Sequence, residues 1–120
     1  MKNILIFLTL FAFSPMALSQ VSALDPRYCQ LAASVPRDAS GQIIRSSAVI
    51  RAFRKAHPCP VTNLTVGACP GWSIDHVLPL VCGGCDLITN LQWLPNTIKS
   101  CAGAQCKDRW EQKVYCTQPK

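Results

Sequence analysis

Acidic side chains are scarce in this 120-residue chain: six stand against twelve lysines and arginines, for a formal net charge of +6, and only two histidines are present. Apolar runs long enough to cross a bilayer, which takes roughly 20 residues, are missing beyond the first segment. That excludes a transmembrane protein on all but that segment. There is no internal repeat and no low-complexity tract, which excludes solenoids and disordered linkers. At this length the chain has room for one domain and one modest core. A basic balance on a small domain favours a polyanionic partner, nucleic acid or an acidic surface.

What is present begins with Met1-Lys2-Asn3, an apolar stretch from Ile4 to Phe13, and Ala17-Leu18-Ser19 before Gln20. A basic start, a short apolar run and a small-residue exit read as a secretory signal peptide over residues 1–19. Pro15 interrupts the run too early for a membrane anchor. The expected location is therefore exported, periplasmic or secreted, with no stable membrane association after cleavage. Residues 20–45 are expected to form an N-terminal extension, and 46–120 the main domain.

Eight cysteines stand at 29, 59, 69, 82, 85, 101, 106 and 116. An even number in a small exported chain predicts disulfides, with connectivity that spacing cannot supply. A Cys59–Cys69 bridge would close a turn-rich connector. The rival is structural zinc: Cys82, Cys85, Cys101 and Cys106 approach four-cysteine zinc spacing.

Along the chain, turn formers at Pro36–Gly41 separate Leu31–Val35 from Gln42–Arg45, as in a short hairpin. Ser46 or Ser47 is placed to cap a helix running to about Lys55, with Val49, Ile50 and Phe53 on one face. Strands are expected at Trp72–Val77 and Leu91–Leu94, joined by a glycine-containing loop over Pro79–Thr89. Pro95 fixes the exit of the second strand, and Asn96 to about Val114 reads as one helix weakened at Ala102-Gly103-Ala104. Trp72, Trp93 and Trp110 read as core residues rather than base-stacking platforms, and His57 as a residue of a helix C-terminal turn.

The chemistry concentrates in Trp72-Ser73-Ile74-Asp75-His76-Val77-Leu78-Pro79-Leu80, Cys82-Gly83-Gly84-Cys85-Asp86 and Thr89-Asn90-Leu91-Gln92-Trp93-Leu94. Hydrolysis of a phosphodiester requires a base for water, which a histidine supplies, and a hard cation on oxygen ligands to offset developing charge. Asp75 and His76, adjacent on a strand, point to opposite faces unless they lie at its rim. Asn90, where the loop returns, carries an amide able to donate and accept across it.

The ordered D-H-x-x-P-L, G-G, D and N-L-Q-W-L set resembles the HNH endonuclease motif of the ββα-metal nucleases, particularly small exported or phage-associated members, over roughly residues 51–111. The resemblance implies an α+β fold: a β-hairpin and a helix gripping one divalent cation, Mg2+ or Mn2+, here disulfide-stabilised and preceded by a basic helix. It implies that Asp75 is a metal ligand, His76 the general base and Asn90 a hairpin brace that helps orient it. One departure stands out. The family's third ligand lies on the helix about nine residues after the bracing asparagine, and Lys99 occupies that position. Asn96 is the first substitute, Asp108 its rival, and water a third.

The expected function is hydrolysis of DNA with little sequence specificity, RNA remaining open. Arg51, Arg54, Lys107 and Arg109 are candidate contacts to nucleic-acid phosphates, although Arg51 and Arg54 also suit a solvated helix face and Lys107 and Arg109 suit ion pairs with Asp108 or Glu111. An immunity or inhibitor protein is a further partner to consider. Two alternatives stand beside the nuclease: a non-enzymatic disulfide-rich binding protein, and a zinc-ribbon-like nucleic-acid binder.

Overall fold

The structure, a computed structural model, describes residues 25–116. The expected signal peptide lies outside them. Within them the chain is a small α+β unit with one antiparallel hairpin, three helices and several short 3-10 turns.

Helix α1 spans Ser47–Ala56. Ser46 caps it, its Oγ accepting from the Val49 amide, so one otherwise unpaired helix-start donor is satisfied. The apolar stripe delivers Phe53 to the core, and the helix closes at His57, ahead of Pro58. A Cys59–Cys69 disulfide closes the connector that follows.

Strand β1, Trp72–His76, pairs with β2, Leu91–Pro95, in a register that sets Asp75 opposite Gln92 and His76 opposite Leu91. Trp93 joins the hairpin to α1: its ring lies 6.1 Å from that of Phe53, and its indole N–H donates to His57 O. The loop between the strands is fully folded, with 3-10 turns at Leu80–Cys82 and Ile88–Asn90. Gly83-Gly84 is required there by close backbone approach. A Cβ on Gly83 would lie 2.0 Å from Gln30 O, one on Gly84 2.1 Å from Leu78 O, and Gly83 also has φ of 94°.

The single long helix expected after β2 is instead two. Helix α2, Asn96–Lys99, ends after one turn, and α3 runs from Lys107 to Tyr115. Between them a loop is closed by Cys101–Cys106, which ties the chain into a bend that a continuous helix could not make. Cys82–Cys116 then staples the far end of α3 to the interstrand loop, and the Tyr28 hydroxyl donates to Tyr115 O.

The hairpin expected over residues 31–45 is reduced to a single bridge, Arg37 with Ile43, and Ala32–Ser34 is a 3-10 turn. Polar turn residues leave this segment little to bury beyond Val35 and part of Ile43. It is held to the rest by the Cys29–Cys85 disulfide and a bridge of Tyr28 with Gly84. All eight cysteines are thus paired in four disulfides. That corrects the zinc alternative: Cys82, Cys85, Cys101 and Cys106 are spent on three different bridges and present no thiolate. Among the described residues no helix is long and apolar enough to cross a membrane. Four disulfides fit an oxidising environment.

Candidate active site

Asp75 and His76 sit at the last two positions of β1, where the hairpin opens into its loop. Strand alternation alone would separate them, but at this rim both line one cleft of about 310 Å³. Both are largely buried, 5% and 8% exposed.

Asn90 closes the loop behind them. It has no exposed surface; its Oδ1 accepts from the Leu78 amide, and its Nδ2 donates to the Leu78 and Cys85 carbonyls. The Val77 amide in turn donates to Asn90 O, so the residues just after His76 are held from both sides. One side chain therefore satisfies three backbone groups across the span of the loop.

His76 has a partner within the motif, Asp86. Its Nε2 lies 2.9 Å from Asp86 Oδ1, while Asp86 Oδ2 accepts from the Ser46 amide at 2.6 Å. An ionised carboxylate only accepts, so Nε2 carries the hydrogen and Nδ1 keeps the lone pair when the ring is neutral, an assignment that follows from the partner. Asp86 joins the loop, the histidine and the start of α1 at one point.

Asp75 lies among charges. Its carboxylate oxygen atoms come together with those of Asp108 and Glu111, one from each within 4.8 Å of one another. Asp75 Oδ2 accepts from Lys107 at 2.9 Å and from Gln92 at 3.0 Å, and Oδ1 lies 3.4 Å from Lys99. Lys107 also donates to His76 O and pairs with Glu111; Lys99 pairs with Asp108 at 2.9 Å. Burial works against the Lys99 ammonium, but its hydrogen bond to Asp108 and the charge of Asp75 outweigh it and raise its pKa above the usual lysine value.

Three expected assignments change. Asn96 does not join the carboxylates: it is exposed at the start of α2, and its Oδ1 accepts from the Ser73 hydroxyl at 2.6 Å. Asp108, its rival, does join them, because the Cys101–Cys106 bend restarts the helix with Asp108 and Glu111 three residues apart on one face. Lys107, a candidate for a phosphate contact or for an ion pair with Asp108 or Glu111, makes the pair with Glu111: it is only 5% exposed and engaged on three oxygens. Arg54 is drawn onto the Trp93 ring, 5.6 Å from its centroid, with Nε and Nη2 buried, so it too faces inward. Arg51 and Arg109 are exposed but do not line the cleft.

The cations that do line it are Lys99, Arg37 and Arg45. Arg37 donates to Gly41 O, and Arg45 immediately precedes the Ser46 amide held by Asp86. Nothing local in the sequence marks these two arginines. They reach the cleft because Cys29–Cys85 brings the preceding segment against the loop. Asp86 and Glu111 are more legible, since few acids exist in the chain, Asp86 lies inside the motif and Glu111 one turn after Asp108.

Comparison with protein-family models, with curated proteins and with solved structures finds no match to the chain.

Proposed function

We propose that the chain is an exported HNH-type endonuclease of the ββα-metal class, hydrolysing DNA phosphodiesters with little sequence specificity and one divalent cation, Mg2+ or Mn2+. The observation that carries this reading is that His76, backed by Asp86, lines one cleft with Asp75 and Glu111, whose carboxylates cluster with that of Asp108. Three carboxylates are hard oxygen donors of the type such cations take, so the donor set fits. Bound there, a divalent cation would supply charge compensation at the phosphate and the departing 3′ oxygen.

The protein's own part is to take a proton and hold the substrate. His76 accepts the proton of water at Nδ1, and Asp86 steadies the imidazolium that forms. Asn90 keeps the loop after His76 closed, so the ring does not drift from the cleft mouth. Arg37 and Arg45 line the same cleft and contribute affinity for the phosphate without base recognition. An acidic inhibitor protein that covers these cations is a compatible partner.

One observation favours a second reading, a non-enzymatic disulfide-stapled binding protein: Lys99 and Lys107 already compensate most of the carboxylate charge. Plasmid nicking with and without EDTA separates the two. Nicking that EDTA abolishes is expected, and its absence at any Mg2+ or Mn2+ concentration refutes the nuclease. His76→Ala should lower the rate about 10²–10⁴-fold while DNA binding persists. Near-wild-type cleavage by that variant removes His76 from the mechanism.

A further inference from the structure

We propose that Lys99 is a tethered counter-cation that holds the divalent-ion position until an ion displaces it into the cleft. Its role rests on the cation-holding part of the nuclease reading and adds how that site is loaded.

Lys99 stands nine residues after Asn90, where the motif leads one to expect a ligand. Its ammonium does a different job. Nζ lies between Asp108 Oδ1 at 2.9 Å and Asp75 Oδ1 at 3.4 Å, in contact with two of the three carboxylates that would bind an ion. A divalent ion drawn to these carboxylates competes with the ammonium for two of them.

The two lysines are not equivalent. Lys107 has its side chain 6% exposed and touches Asp75 Oδ2, Glu111 and the His76 carbonyl, so it is built into the base of the site. Lys99 has its side chain 22% exposed, sits at the end of the one-turn helix α2, and lines the open cleft. Its long stem can swing outward while the backbone stays in place. Charge points the same way. Three carboxylates and two ammonium groups leave one negative charge; exchanging Lys99 for a divalent ion, with Lys107 in place, brings the cluster to neutrality. Keeping both lysines would leave it positive. Once displaced, the Lys99 ammonium is one of three cations lining the cleft, with Arg37 and Arg45.

Isothermal titration of Mn2+ into the disulfide-bonded chain tests this, comparing wild type with Lys99→Met and Lys99→Arg. Removing one unit charge beside the ion position should tighten Mn2+ binding about tenfold or more in Lys99→Met. Lys99→Arg, which keeps the charge, should stay near wild type. Unchanged or weaker Mn2+ binding in Lys99→Met overturns the proposal, as does failure of all three proteins to bind Mn2+. Plasmid nicking run in parallel keeps the two readings apart. Nicking by wild type without the affinity gain sinks the role of Lys99 and leaves the nuclease, whereas the gain without nicking does the reverse.

Discussion

Asn90 and Asp86 show how single polar side chains organise this site. Asn90 is fully enclosed and satisfies one amide and two carbonyls that no strand partner reaches. Each buried backbone group left unpaired costs about 1–3 kcal/mol. Asn90→Ala should therefore lower stability by roughly 3 kcal/mol or more, read from urea denaturation. A loss below 1 kcal/mol would mean that water replaces the amide. The position of Asn90 and its donor-acceptor duty were legible in the sequence, because a loop of this length needs an internal clamp where it returns. Of the ion pairs, Lys107–Glu111 follows from i,i+4 spacing, whereas Lys107–Asp75 and Lys99–Asp108 do not. Lys107 and Asp108 are chain neighbours whose partners depend on where α3 restarts, and a disulfide sets that point.

Elements followed local rules except where a long-range covalent bond overruled them. The cap at Ser46, the stripe through Phe53 and the stop before Pro58 are local signals, and α1 appears where they place it. The strands likewise fall within a residue of their expected ends. The helix after β2 does not, because Cys101–Cys106 turns a weak helical middle into a closed loop. The bridge at the other end of α3, Cys82–Cys116, closes a sequence separation of 34 residues. Constraint of that size is worth about 3–4 kcal/mol. The double variant Cys82→Ala/Cys116→Ala should lose stability on that scale and show faster hydrogen exchange across α3 than across α1. Equal exchange in the two helices would show that Tyr28 and the Lys107 ion pairs hold α3 without the bridge.

At the scale of the molecule, four disulfides substitute for a core of modest size in which cysteines rank with Phe53, Leu78, Leu80 and Leu91 among the buried apolar residues. Small domains with little apolar surface to bury depend on such bridges. Reductant should therefore lower Tm sharply, whereas EDTA in metal-free buffer should leave it unchanged; a fall in Tm with EDTA alone would revive a structural metal. The arginine wall of the cleft was hidden from sequence reading for the same reason, since Arg37 and Arg45 reach it through the Cys29–Cys85 pairing rather than through any local pattern. Those pairings also bear on how the site is held. The segment with the arginines hangs from Cys29–Cys85, and the helix with Asp108 and Glu111 is pinned by Cys82–Cys116. The two bridges meet the same short loop, so a chain with reduced thiols lacks both covalent ties to the loop that follows His76. Pairing of these thiols therefore adds the covalent ties that fix both neighbours of the loop after His76.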